Sequence, residues 1–383
     1  MTPPLSIAEV RTRRDLRRFI DVPYLVYRHD PQWVPPLRSE VRKVLDRRRN
    51  PFFDHGKACY WLALRGDTPV GRISAQVNRL HLETHRDATG NFGFLEAVDD
   101  PTVFEALLGT AEAWLKARGL ARILGPYSLS MNDEIGVLVS GFSHPPMVAM
   151  THAPPYYGPR LEAAGYTKAK DVHAFHFELD EMRNTSIAEL LQHAKRIDRE
   201  GRVRVRHIDM RRFEEEMRAG IAIYNDAWSA NWGFVPVTPS EVEHMLAALK
   251  PIIVPQFILF GEIDGKLEGL FLAIPDLNEM IADLRGKLFP LGWAKLLWRI
   301  RTRSPKAARV MLAGLTKLYQ NSALGASMLL WMIADIFRSG HQLGYRYVEF
   351  SWVLEDNPRS IALCERAGGR IYKTYRLYEK PLV

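Results

Sequence analysis

Ala308-Arg-Val-Met-Leu-Ala-Gly-Leu-Thr-Lys-Leu-Tyr319 runs into Gln320-Asn-Ser-Ala-Leu-Gly-Ala-Ser327, and then into Met328-Leu-Leu-Trp-Met-Ile-Ala-Asp-Ile-Phe-Arg-Ser339. The first part suits a buried strand, and the last spaces its apolar residues as a helix does. Between them, Gln320 to Ser327 is rich in small residues where the helix begins. Small side chains let backbone N–H groups approach a ligand closely. A helix N-terminus leaves N–H groups unpaired and carries partial positive charge. The combination predicts a pyrophosphate cradle, and with it a nucleotide-like cofactor and an enzyme.

The bulk numbers frame that stretch. A chain of 383 residues suits two domains of about 190 residues each. Apolar residues at 47% and charged residues at 25% match an ordinary globular protein. Cys59 and Cys364 are the only cysteines, which excludes a disulfide framework and a thiolate zinc site. No metal is expected. His173 and His176 read as incidental strand residues. Gly-x-Ser-x-Gly is absent, which removes the usual Ser-His-Asp reading. The first residues lack the basic-then-apolar build of a signal peptide, and no apolar run reaches membrane-spanning length. The expected location is cytoplasmic. The net charge of +8 leaves an anionic partner open (a CoA-type cofactor, a tRNA or a lipid surface) beside a simply solvated basic surface.

The chain also resembles itself. Cys59–Ala75 and Phe257–Ala273 each read as two strands around a Gly-Asp or Asp-Gly turn. Later, Gly119 leads through an apolar run to Asn132, and Gly344 leads to Asn357, 13 residues in each case. Each copy then has a short helix ending in glycine, Gly165 or Gly368, and an alternating strand. Two domains follow, 1–180 and 181–383. The first inserts Asp133–Pro154, the second Asn278–Lys306.

This order of elements, with the cradle between a fourth strand and the next helix, resembles the GNAT N-acetyltransferase superfamily in tandem. Gln320-Asn321-Ser322-Ala323-Leu324-Gly325 is similar to the family's Arg/Gln-x-x-Gly-x-Gly/Ala signature, with Ala323 in the first glycine's place. Asn357 and the helix through Cys364 are similar to its later pattern. The resemblance implies an α/β (α+β) fold of two tandem GNAT-like domains, each a mixed, mostly antiparallel twisted sheet flanked by helices. It implies acetyl-CoA or another acyl-CoA as donor in the second domain and no metal. The main chain near Leu315 and Lys317 would bond the pantetheine, and Ala323, Leu324, Gly325, Ala326 and Ser327 would hold the pyrophosphate beside Gln320 and Asn321. Asn357 and Cys364 would flank the cofactor, in a slot opened where strands four and five splay. In the first domain Asp99 and Asp100 occupy the equivalent turn, so that copy is expected to be degenerate, without CoA.

Acyl transfer to an amine needs a base, an oxyanion donor and an acid for the leaving thiolate. Where many GNAT proteins carry a tyrosine acid, this chain has Cys364. Tyr372, Tyr375 and Tyr378 on the final strand are alternatives, and Glu355 at the end of strand five is the candidate base. Asn357 also reads as a helix cap before Pro358. Trp228, Asn231 and Trp232, dense in aromatics and amides, and Asp276 with Asn278 are candidates for the acceptor, a small-molecule or peptide amine. Gly125–Glu134 and Pro154–Tyr157 carry no assigned chemistry. Trp293–Arg303 reads as a basic amphipathic segment for a membrane surface or an acyl chain, or as an ordinary packed helix. The leading reading is an acyl-CoA-dependent N-acyltransferase, with acetyl-CoA as the expected donor and no nucleic acid. The alternatives are a Fem-like aminoacyl-tRNA-dependent transferase, which takes tRNA, and an inactive acyl-CoA-binding regulatory protein.

Overall fold

Two hairpins built to one plan anchor the fold. In the first, β2 (Gly56–Arg65) pairs antiparallel with β3 (Thr68–Asn78), and the register slips between Ala63 and Leu64, leaving Val70 as the extra residue. In the second, β9 (Ile258–Ile263) pairs with β10 (Lys266–Pro275), and the slip leaves Glu268 as the extra residue. The two bulges lie at matching positions of the repeat. A bulge bends a strand and raises its twist, so the two copies curve alike.

The computed structural model describes residues 3–179, 184–302 and 305–382. The chain forms two compact units, and they exchange segments. Unit 1 holds Met1–Val172, Ile281–Phe289 and Lys373–Val383; unit 2 holds His173–Met280 and Pro290–Tyr372. Packing, not chain order, sets this division. A strand's alternating pattern states which face is buried but not which neighbour it pairs with.

Unit 1 starts with β1 (Leu5–Glu9), α1 (Arg13–Val26), α2 (Arg38–Val44) and α3 (Phe52–His55). After the hairpin come α4 (Arg79–His85), β4 (Thr89–Ala97), α5 (Pro101–Lys116), β5 (Arg122–Gly125), β6 (Val137–Ser140), α6 (Tyr157–Ala163) and the start of β7 (Thr167–Glu178). Its strands run β1-β2-β3-β4-β5 and then β13 (Arg370–Pro381), whose later residues pair antiparallel with β5, Tyr378 opposite Gly125. Phe19, Ile20, Phe52, Tyr60, Leu62 and Leu129 form its core.

Unit 2 continues with α7 (Asn184–Ile197), β8 (Val203–His207), α8 (Phe213–Trp228), α9 (Pro239–Leu249), β9, β10, α10 (Asn278–Ile281) and α11 (Gly292–Thr302). Then come β11 (Ala307–Leu315), α12 (Ala323–Gln342), β12 (Tyr347–Leu354), α13 (Pro358–Arg366) and the start of β13. Its strand order is β7-β12-β11-β10-β9-β8. Met328, Met332, Ile336 and Phe337 of α12 recur at helical spacing and are wholly buried on this sheet. Gly261 and Gly269 make the close approach possible, since a Cβ on either would sit 2.2 or 2.5 Å from the Met328 sulfur. Each such side chain contributes about 1.5–3 kcal/mol of burial.

Candidate active site

The slot between the two parallel strands of unit 2 arises from a third bulge. β10 pairs with β11 through a slip between Leu272 and Ala273, which leaves Met311 as the extra residue. On its other edge β11 pairs with β12 only from Ala307 with Tyr347 to Val310 with Phe350. Both strands run on, to Leu315 and Leu354, with no ladder between them among the described residues. A V therefore opens past Val310, as the family resemblance implied. Unit 1 repeats the device: β3 and β4 slip between Arg72 and Ser74, and Phe94 on β4 has φ 45°.

The turn before α12 stands at the mouth of the V. Ser322 is the N-cap: its hydroxyl accepts from Gly325 N at 3.0 Å and donates to Tyr319 O at 3.0 Å. Ala326 N donates to Ser322 O, and the Ser327 hydroxyl donates to Ala194 O at 2.9 Å inside the unit. The expected cradle is narrower as a result. Among the described residues the amides without a partner in the first turn are those of Ala323 and Leu324. Gly325 also has an internal cause, because its Cβ would lie 2.1 Å from Tyr319 O.

The end of α8 is tied to this turn. Gln320 Nε2 donates to Ala227 O at 2.7 Å and to Leu315 O at 3.1 Å, and Lys317 N donates to the Asp226 carboxylate at 2.8 Å. The Leu315 carbonyl and Lys317 amide, expected to meet pantetheine, thus already have partners within the chain. The unladdered stretch of β11 before them is the freer one. Trp228 lies against it, its ring filling the space where a Gly314 Cβ would be (2.2 Å) and packing on Tyr224 at 5.0 Å. Asn231 N donates to Trp228 O, which turns the chain after the helix, and Trp232 is half-buried nearby in sequence. Asn321 is exposed.

At the closed end of the V lies a polar cluster that sequence reading missed. Arg309 and Glu349 face one another in the parallel register, 2% and 0% exposed, with Nε 3.5 Å from Oε1. Ser351 bridges them, accepting from Arg309 Nε at 2.8 Å and donating to Glu349 at 2.6 Å. Tyr372 donates its phenol proton to the other Glu349 oxygen, and the Arg309 guanidinium lies 5.0 Å from the Trp352 ring. A buried ion pair holds only with such extra hydrogen bonds, because desolvation costs several kcal/mol per ion. His176, read as incidental, stands 5.1 and 5.3 Å from the Tyr347 and Tyr372 rings and pairs with Glu178 at 2.6 Å. Among the described residues the buried Trp352 Nε1 has no hydrogen-bond partner. Trp352 stands two residues past the last ladder pair.

The other expected residues separate. Glu355 follows β12 directly, half-buried. Asn357 caps α13, accepting from Ser360 N at 3.1 Å. Cys364 packs in the core instead, and burial, with Glu365 adding to it, pushes its thiol up to about 12, so it stays protonated at neutral pH. Asp276 is buried and accepts from Asn278 N at the start of α10, so both serve that helix. Tyr375 is fully buried and belongs to unit 1, against Gly136, whereas Tyr372 belongs to unit 2. The two tyrosines do not share a site within one unit. Among the described residues no cluster of potential metal ligands occurs.

Unit 1 fills the equivalent V from within. Tyr127 N donates to Phe92 O at 2.8 Å, and a Gly93 Cβ would lie 1.6 Å from Tyr127 O. Ala97, at the free end of β4, gives its N–H to the Tyr157 oxygen and its carbonyl to the Tyr156 hydroxyl. Asp100 caps α5 and binds Arg65, and Asp99 binds Arg160. Here too a polar cluster escaped the sequence reading: Glu96 accepts from Tyr27 at 2.6 Å and Tyr157 at 2.8 Å, with Arg72 at 3.7 Å. Burial is the largest influence on Glu96 and raises its proton affinity. His152 Nε2 meets Asp30 at 2.7 Å beside Tyr27. The sequence signal for it is the Tyr156-Tyr157 pair.

Comparison with known proteins agrees with this geometry. No family profile matches the chain. It is 44% identical over 379 residues to the bacterial ceramide synthase of Caulobacter vibrioides, covering 99% of this chain and 98% of that one. It is 39% identical over 371 residues to protein YghO of Escherichia coli, covering 97% and 94%. Among solved structures it matches a tandem GNAT protein from the clavulanic acid biosynthesis pathway, with TM-score 0.57, 14% identity and 99% of both chains covered. A GCN5-related N-acetyltransferase from Sphaerobacter thermophilus matches with TM-score 0.53 and 14% identity over 100% of this chain and 97% of that one. The chain has the tandem GNAT fold and belongs to the family of the Caulobacter ceramide synthase and YghO.

Proposed function

We propose that the protein transfers a fatty acyl group from an acyl-CoA to the amine of a long-chain amino alcohol. The observation that carries this is the 44% identity, over nearly the whole of both chains, with a bacterial ceramide synthase. A ceramide is the amide of a fatty acid with such an amino alcohol. The donor in this reading is a long-chain acyl-CoA instead of the acetyl-CoA first expected. In the transfer the amine nitrogen bonds to the thioester carbon, the C–S bond breaks, the amine loses a proton and the thiolate gains one.

Unit 2 is the donor-binding unit in this reading. The amides of Ala323 and Leu324 would take the pyrophosphate at the N-terminus of α12. Trp352 Nε1, unpaired among the described residues, would take the thioester carbonyl, where the developing oxyanion needs a donor. Tyr372, whose phenol proton Glu349 accepts before the reaction, would turn that proton to the thiolate, and Glu355 would take the amine proton. Trp228, Asn231 and Trp232 would line the acceptor's path. In this reading unit 2, in place of the expected half 181–383, binds donor, and unit 1, in place of 1–180 and with its V filled, does not. A cytoplasmic location belongs with this reading, since acyl-CoA is made there.

The test incubates full-length protein with a long-chain acyl-CoA and a long-chain amino alcohol, following amide by mass spectrometry and CoA thiol by absorbance. Amide and thiol in equal amounts are expected. Acylation of small amines or peptides alone, with none of the long-chain amine, would overturn the acceptor.

A further inference from the structure

Helix α11 has its polarity reversed relative to a helix packed on its own domain. Its buried residue is Arg299, 9% exposed, whose Nη1 donates to Met280 O at 2.7 Å. Its large apolar residues face outward instead: Trp293 is 48% exposed, Leu297 43%, Trp298 54% and Ile300 45%, and Leu291 just ahead is 74% exposed. Trp293, Leu297 and Ile300 recur at i, i+4 and i+7 and so form one stripe. Lys295 and Arg301 are exposed farther round the helix. From Leu291 to Thr302 there are three basic residues and no acidic one. Arg303, expected to extend the segment, lies outside the described residues.

Exposed apolar residues this dense mark an interaction surface. Tryptophan and aliphatic side chains among cations, with no acidic residue, match the interfacial zone of an anionic bilayer. Among the described residues no helix is long and apolar enough to cross a membrane, and α11, about 16 Å long, would lie in the surface plane. We propose that α11 docks the protein on an anionic phospholipid bilayer, Trp293, Leu297 and Ile300 entering the headgroup boundary while Lys295 and Arg301 meet lipid phosphates. The docking rests on exposure and charge and holds whichever amine the protein acylates.

Vesicle co-sedimentation of the full chain tests this, with phosphatidylcholine vesicles alone and with about 30% phosphatidylglycerol. Wild type is expected in the pellet only with the anionic vesicles. Lys295→Gln and Arg301→Gln should each weaken binding about fivefold, and Trp293→Ser with Leu297→Ser should reduce it to background at an unchanged melting temperature. Wild type that stays in the supernatant would overturn the proposal, as would an apolar double variant that binds normally. A dimer in light scattering that the double variant converts to monomer, without vesicle binding, would assign the face to a second copy and also overturn it. If the double variant fails to fold, the two charge variants decide.

Discussion

Replacing Ala323 with glutamate should move stability and donor binding in opposite directions. Ala323 is exposed and opens the first turn of α12, where its amide and that of Leu324 have no partner among the described residues. A carboxylate there complements the helix dipole, so the melt should hold or rise, by roughly 0.3–1 kcal/mol. The same carboxylate would face a bound pyrophosphate. At about 5.5 Å and an effective dielectric of about 20, Coulomb's law gives roughly 3 kcal/mol of repulsion per unit charge. Salt screening brings this to about 1–2 kcal/mol, a loss of about five- to thirtyfold in affinity. Isothermal titration with CoA, comparing wild type, Ala323→Glu and the neutral Ala323→Gln, measures it directly. If Ala323→Glu binds CoA within twofold of wild type, the pyrophosphate does not sit on α12 and the donor site is misplaced.

Three further outcomes follow from the packing. Cys59, pushed up to about 11 by burial with Glu9 adding to it, and Cys364, pushed up to about 12, should both be silent to an aromatic disulfide reagent at pH 8 and react once unfolded; a fast native thiol would refute this. Gly314→Leu should destabilise unit 2 by about 1–3 kcal/mol in urea titration, because the Trp228 ring occupies the added volume; an unchanged midpoint would place that ring elsewhere. Burial lowers the proton affinity of His152, with Asp30 offsetting part of it. The unfolded chain therefore takes up this proton first, and stability, full above about pH 6.5, declines as the pH falls below it. His152→Gln should flatten the drop in melting temperature between pH 7.5 and 5.5; an identical slope would clear His152.

Much of the fold was legible because it is written in local chemistry. The Gly-Asp and Asp-Gly turns located both hairpins, and the strand-turn-helix at 308–339 located the V and its capped helix. Asn357 could be read as a cap because Pro358 follows it. What stayed hidden depends on partners distant in sequence. Arg309 and Glu349 are 40 positions apart and look like ordinary charges until the parallel register sets them opposite. Gly325 looked like room for a ligand until Tyr319 O proved to need that room. Tyr372 and Tyr375 share one strand, and nothing in their alternation indicates that the strand passes from one unit to the other between them.

The exchange of segments also sets an order of events at the ribosome. Domains generally fold as they emerge, N-terminal first. Unit 1, although most of it (Met1–Val172) precedes all of unit 2 in the chain, receives the strand beyond β5 from Lys373–Val383, about 200 residues later. Unit 1 therefore stays incomplete until Lys373–Val383 has been made, and loss of that segment would take away the strand that pairs with β5.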